Sequence, residues 1–332
     1  IGVLGPAADA PAAGAPGKAD YYSGGGSGKV GAKSVTSALQ GILQAAAAEL
    51  RGIEVLHGGT NSAEHAAALV KRADLVIVVG ATTSSEGLDR SSLSLDDDID
   101  SLIGAVVTMG VPTVVLMQTP GAVLTPWRDQ VQGIANMFLG GEETGGAWAD
   151  FLFGHVAPTG RLPIMLPATE ADGVSPTTDE NVVYSEGLFT SYRNANFKAA
   201  FPFGHGLAFT TFSYGVPEEV TGAGCAAAAC VRVAIANTGS RPGAELAQAY
   251  LHYPTSTTLQ YPHAQPERVL KGFVRTGVLA PGAQETVLFR FTTRDLSVYG
   301  AEGGWVRMAD LEVQVGASSA DIRGRVALAS SP

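Results

Sequence analysis

The sequence predicts a doubly wound α/β domain followed by an all-β sandwich. Three observations predict it. Over residues 1 to about 170, short continuous apolar runs alternate with stretches of helical periodicity. From about 218, alternating segments recur at regular spacing, separated by Gly or Pro. The chain is long enough for two or three domains: it has 332 residues, 45% of them hydrophobic and 16% charged. That composition supplies ample apolar surface to bury and excludes disorder over most of the chain.

In order, residues 1–4 form a short strand, 35–50 an Ala-rich helix, 53–56 a strand, and 62–73 a helix opened by an Asn/Ser cap. Residues 74–80 (DLVIVVG) are apolar throughout and end in Gly, as a central parallel strand does. A helix over 98–109, a buried strand over 112–117 (PTVVLM), a strand over 133–139 and a helix over 144–153 complete the pattern. Residues 170–215 have no strong period and read as a long ordered loop with short strands. The later strands are 231–236, 245–253, 267–273, 285–291 and 310–315, with a turn at Asn237-Thr238-Gly239. The domain boundary is placed between 215 and 216, giving domains 1–215 and 216–332.

The formal net charge is −10 and no Lys/Arg cluster stands out, which disfavours nucleic acid and anionic membranes as partners. No apolar stretch is long enough to span a membrane. Cys225 and Cys230 are spaced so that a local disulfide is possible but not required, and neither has the neighbours of a zinc site. The chain opens directly on a buried strand, so a fragment or processed chain is expected.

Ligands of a parallel sheet sit beyond the carboxyl ends of its strands. The segment after 74–80, Ala81-Thr82-Thr83-Ser84-Ser85-Glu86-Gly87-Leu88-Asp89-Arg90, leaves from such an end. Glu86 is the candidate working carboxyl, with Gly87 letting the loop turn and Asp89 and Arg90 pinning it. An ordinary surface loop is the competing reading. Residues 22–29 (YSGGGSGK) superficially resemble a phosphate loop, but the spacing is wrong and Val30 follows Lys29 where a hydroxyl is needed. A Gly-rich loop packed against a neighbour accounts for them better. His155 and His205 are expected to be structural, no Ser/His/Asp set can be assembled, and no metal or organic cofactor is indicated. Most of the aromatics Trp127, Trp148, Tyr184, Tyr192, Phe201 and Phe203 are expected in the core.

Several segments, in order, resemble the C-terminal half of glycoside hydrolase family 3. They are IGVLGPAA at 1–8, the Gly-rich run at 23–27, SEGLDR at 85–90, the region 138–153, and GHVAPTGRLPIMLP at 154–167. YSEGLFTSYR at 184–193, FPFGHGLAFTTF at 201–212, and the 237–239, 270–273 and 315–316 segments follow. The resemblance implies a six-stranded α/β sandwich and a fibronectin-III-like module. It implies an exo-acting, retaining β-glycosidase, a β-glucosidase first. A β-xylosidase or α-arabinofuranosidase, or a non-catalytic carbohydrate-binding or structural protein, is the alternative.

By the same resemblance Glu86 is the acid/base, with a raised pKa. Asp89, Arg90, Tyr192 and Arg193 bind substrate or support loops. The nucleophilic Asp belongs to an N-terminal TIM-like barrel missing from these residues, so the chain alone is expected to be inactive. The substrate is an oligosaccharide or β-glycoside, and the setting extracellular or secretory. Two segments depart from the family pattern: Gly140-Gly141-Glu142-Glu143, and Asn194-Ala195-Asn196-Phe197.

Overall fold

The computed structural model describes residues 1–13, 19–49, 52–177, 180–253, 265–300 and 302–329. They form two compact units, Ile1–Val156 with Leu166–Pro176, and Ala157–Met165 with Thr177–Pro332. Residues 157–165 and the described residues of 177–215, expected with the first domain, cluster with the second unit.

In the first unit the elements are β1 (Gly2–Leu4), α1 (Ala38–Ala48), β2 (Leu56–Gly58), α2 (Ala63–Val70), β3 (Val76–Ala81), α3 (Ile99–Val107), β4 (Thr113–Gln118), β5 (Gly133–Asn136) and α4 (Thr144–Leu152). The five strands are all parallel, in the order β2-β1-β3-β4-β5. The resemblance implied six; five are hydrogen-bonded into this sheet among the described residues.

Both faces of the sheet are covered, which explains why β3 and β4 read as apolar throughout. Val76, Val78, Val115 and Met117 face Ala66 and Val70 of α2 and Leu102, Ile103 and Val106 of α3. Ile77, Val79 and Leu116 face Leu39 and Ile42 of α1 and Trp148 of α4. Each fully buried Val, Leu, Ile or Met side chain among these contributes about 1.5–3 kcal/mol.

The element boundaries differ from expectation for local reasons. Helix α1 starts three residues late because Ser37 caps it. The Ser37 hydroxyl accepts from Gln40 N while the Gln40 side chain accepts from Ser37 N, a reciprocal capping box. The other expected end, Leu50, lies outside the described residues. Ser62 occupies the N-cap of α2 but makes no side-chain cap bond, and Asn61 instead donates to Asp97 O at 2.9 Å. Strand β2 is shifted from 53–56 to Leu56–Gly58 by its pairing with β1 at Gly2↔Leu56. It is an edge strand, so pairing rather than apolarity sets its position. Strand β5 ends early because Asn136 Oδ1 accepts from Phe138 N at 2.9 Å and turns the chain.

The second unit is an antiparallel sandwich. One sheet joins Gln284–Phe291, Ala229–Asn237 and Phe212–Tyr214; the other joins Arg268–Arg275, Leu246–His252, Glu312–Ser318 and Asp321–Ala327. Val231, Val233, Ile235, Leu251, Phe289 and Phe291 are among its core. The expected turn at 237–239 forms around buried Asn237, whose Oδ1 accepts from Gly239 N at 3.0 Å and whose amide donates to Leu279 O at 2.8 Å. Strand Phe212–Tyr214 is one of the short strands expected within 170–215, whereas Asp321–Ala327 was not expected. Cys225 and Cys230 are joined in a disulfide.

Helices α1 and α4 approach until their backbones touch. A Cβ built on Gly41 would lie 2.0 Å from Gly145 O, and one on Gly145 would lie 2.0 Å from Ser37 O. Both neighbours are backbone and cannot rotate away. Gly145→Ala is therefore expected to lower unfolding free energy by roughly 1–3 kcal/mol in denaturant titration, by forcing the two helices apart.

Candidate active site

The strand order reverses between β1 and β3: the chain leaves β1 toward β2 on one side and later adds β4 on the other. At such a switch point the loops from two neighbouring carboxyl ends diverge and leave a crevice. The loop after β1 contains the Gly-rich run, and the loop after β3 contains Glu86.

These two loops are bonded to each other. Thr83 Oγ1 donates to Asp20 O at 2.9 Å. Gly25 N donates to Ser84 O at 2.9 Å. Ser85 and Leu88 then close a tight turn, with Leu88 N donating to Ser85 O and Gly87 at φ 75°. Glu86 lies at the tip of that turn, exposed, and its Oε2 accepts from Ser27 N at 2.8 Å. Gly26 leaves room for it, since a Cβ there would fall 2.5 Å from Glu86 Cβ and 2.8 Å from Glu86 N.

The Gly-rich loop is held from within. Asp20 Oδ1 accepts from Tyr22 N at 3.0 Å, Ser23 N at 2.7 Å and the Ser23 hydroxyl at 3.0 Å. Its Oδ2 accepts from Ala13 N at 3.2 Å and pairs with Lys29 Nζ at 3.0 Å. Burial pushes the Asp20 carboxyl up, but the hydrogen bonds from Ser23, Lys29 and Tyr22 together outweigh it and bring it down to about 2. Lys29 is thus committed to Asp20 and to Ala13 O rather than to a phosphate, as the faulty spacing of that run implied.

Glu86 departs from expectation. The Ser27 hydroxyl and N–H stabilise its ionised form and hold its pKa below the usual value, against a smaller effect of burial. The resemblance implied a raised value. A carboxyl open to water and accepting hydrogen bonds has no reason to keep its proton.

Arg90 does pin the loop: its Nη2 donates to Ala122 O at 2.7 Å, and burial lowers its pKa while the Asp96 carboxylate opposes that shift. Asp89 does not share the task; it is exposed and makes no hydrogen bond or ion pair among the described residues.

Tyr192 and Arg193 lie in the second unit and support structure within it. Tyr192 OH accepts from Leu270 N at 2.9 Å, and its ring stacks on Phe203 with centroids 4.5 Å apart. Arg193 bonds back to the carbonyl and hydroxyl of Thr190. Trp127 and Trp148 are buried as expected, whereas Tyr184 is 89% exposed. His155 lies among surface carboxylates of Glu49 and Asp150, and His205 is half-buried against Phe201. Among the described residues no group of three or more His, Cys, Asp and Glu is placed to hold a metal ion, and no helix is long and apolar enough to cross a membrane.

Sequence reasoning missed Asp20, Ser27 and Lys29 as parts of this site. The signal was the Gly-rich run itself, whose packing neighbour is the Glu86 loop.

The fold is a parallel α/β domain with a β-sandwich, carrying an exposed carboxyl on a carboxyl-end loop, and comparison with known proteins gives its class. Residues 1–209 match the Glycosyl hydrolase family 3 C-terminal domain, and 245–319 match the Fibronectin type III-like domain. The chain belongs to glycoside hydrolase family 3. It is 33% identical to a β-glucosidase of Rhizobium radiobacter over 293 residues, covering 83% of this chain and 35% of that protein. It is 34% identical to thermostable β-glucosidase B of Acetivibrio thermocellus, covering 72% of this chain and 32% of that protein. The crystal structure of β-glucosidase D2-BGL from Chaetomella raphigera superposes with a TM-score of 0.87 at 28% identity, covering 99% of this chain and 51% of that one. The chain thus spans about a third of the length of these two curated relatives.

A depressed carboxyl pKa makes the Asp20 pair acid-sensitive. The folded value, about 2, lies below the ordinary 3.8. Its stabilisation is therefore complete above pH 4 and is lost as pH falls toward 2, a contribution of about 2 kcal/mol. Denaturant unfolding of the wild type and Asp20→Asn across that window is expected to show the stability gap between them shrinking by about that amount as pH falls.

Proposed function

We propose that this chain is the C-terminal part of a retaining β-glucosidase, in which Glu86 is the general acid/base acting opposite a nucleophilic carboxylate on a barrel domain outside residues 1–332. The observation that carries this reading is the placement of Glu86. It is the exposed tip of a braced loop, at the switch point of a parallel sheet, with a carboxyl free to meet a second surface.

In the reaction the barrel carboxylate attacks the anomeric carbon. Glu86 gives its proton to the leaving oxygen, then takes one from water to release the sugar. Retention requires the two carboxyls about 5–5.5 Å apart. The pKa of Glu86, held down by Ser27 in this chain, is reversed when the site assembles. A nucleophile carboxylate at that distance, together with the loss of water on domain closure, raises the Glu86 pKa by like-charge repulsion and desolvation. The acid is thus made by assembly of the site, not by the loop alone.

A glucoside is favoured over a xyloside or arabinofuranoside because the curated relatives compared above are named β-glucosidases. The disulfide between Cys225 and Cys230 supports an oxidising compartment, as expected of a secreted enzyme.

Residues 1–332 alone carry half of the carboxylate pair and are expected to show no turnover of aryl β-glucosides. In the barrel-containing protein, Glu86→Gln is expected to lower turnover of β-glucosides with poor leaving groups about 10²–10⁴-fold, and activated aryl glucosides less. Unchanged turnover of the poor substrates by Glu86→Gln would remove Glu86 from the mechanism. Faster hydrolysis of xylosides than glucosides by the wild type would reassign the sugar.

A further inference from the structure

We propose that Asp20 and Lys29 are positioning residues for Glu86: their buried ion pair fixes the Gly-rich turn, and through Gly26 and Ser27 that turn sets where the Glu86 carboxyl points. The proposal rests on the acid/base reading above for its catalytic meaning, and on local geometry for the coupling itself.

The pair is shut away from water, with side-chain exposures of 9% for Lys29 and 5% for Asp20. A buried ion pair offsets its desolvation cost only when the remaining polar atoms are also satisfied. Here they are well supplied, since three N–H groups and the Ser23 hydroxyl donate to Asp20 besides Lys29. Asp20 and Gly24 also bridge backbone to backbone. Residues 20–24 and 29 are thereby tied together through Asp20.

That shape is transmitted to the catalytic loop at four places: Thr83 to Asp20 O, Gly25 N to Ser84 O, Gly26 against Glu86 Cβ, and Ser27 N to Glu86 Oε2. The last acts on the carboxyl directly, and the third on the base of its side chain. The bare Cα of Gly26 lets the chain lie on the Glu86 side chain, and the Ser27 N–H fixes one oxygen. A residue that must first deliver and then remove a proton at a single oxygen gains from a fixed direction. The charged groups around Glu86 do not compete for this role. From its own loop, Asp89 is exposed and Arg90 is turned to Ala122 O. From the Gly-rich loop, Lys29 is turned inward to Asp20. Lys29 thus acts through the backbone and not by touching substrate.

The test is a carbon-13 NMR titration of the Glu86 carboxyl in this chain, in the wild type, Lys29→Arg, the doubly neutral Asp20→Asn/Lys29→Met, and Gly26→Ala. The doubly neutral variant leaves no lone buried charge, and Gly26→Ala disturbs the contact without touching the pair, so one unfolded variant does not end the test. The wild type and Lys29→Arg are expected to titrate below the ordinary Glu value of about 4.3, and the other two to rise by about half a pH unit or more. In the barrel-containing enzyme the basic limb of the kcat/KM profile is expected to move upward in the same two variants. Their kcat on poor leaving groups is expected to fall about 10-fold with little change in KM. A lowered melting temperature with the Glu86 titration and the basic limb both at their wild-type positions would overturn the proposal, since a merely structural pair moves only the first. A full-length Glu86→Gln enzyme that keeps its activity, beside an intact NMR shift in the loop variants, would overturn the acid/base reading and leave the loop coupling standing.

Discussion

The strand order of the parallel sheet is the constraint on which the site depends. Because β1 sits between β2 and β3, the loops that follow β1 and β3 leave the same edge as neighbours. The first is free to be long, since its helix α1 begins only at Ala38. It spends that length on a turn-rich segment that lies against the second. Neither loop could hold an exposed carboxyl in a set direction alone. A tight turn at 85–88 with a positive-φ Gly fixes the backbone of Glu86 but not its side chain. The neighbouring loop does that.

The electrostatics of the site then follow from what surrounds each carboxylate. Asp20 and Glu86 both have depressed pKa values, for opposite structural reasons. Asp20 is buried and over-supplied with donors, so its charge is part of the fold. Glu86 is open to water and accepts from a single residue, so its charge answers to whatever later covers it. That contrast separates a carboxylate that builds a loop from one that is presented by it.

Legibility in the sequence tracked burial. Strands β3 and β4 could be read from their apolar runs because helices cover both faces. Strand β2 was misplaced because an edge strand is positioned by its partner. Asp321–Ala327 escaped notice because Gly324 interrupts its apolar face, leaving Ile322 and Val326 as the large apolar residues on it, and none of its residues is fully buried. Glu86 was legible from its place after a central strand and from the SEGLDR resemblance. Its protonation preference was not, because Ser27 lies 59 residues earlier in the chain. The pairing of Asp20 with Lys29 was hidden for a related reason: only the folded path of the Gly-rich run brings the two together. Tyr192 and Arg193 were found by motif, and motif alone cannot tell a side chain that meets a sugar from one that accepts a backbone N–H of the next strand.

The sandwich carries a debt to residues that precede it. Glu245, at the head of one of its inner strands, is 4% exposed, and its carboxylate is paired at 2.7 Å with Arg161, from the short segment Ala157–Met165. Gln248 on the same strand donates to Gly204 O, and Tyr192 receives Leu270 N–H. A protein cut at residue 216 would present a complete set of core strands apart from Phe212–Tyr214, yet strand a buried carboxylate without its cation, a loss of about 3–5 kcal/mol. The fibronectin-like module is therefore not a portable unit in the way its sequence boundary suggests. Anyone wishing to transplant it between proteins would have to carry residues 157–165 as well, although they end 47 positions (212 − 165) before its first strand, Phe212–Tyr214.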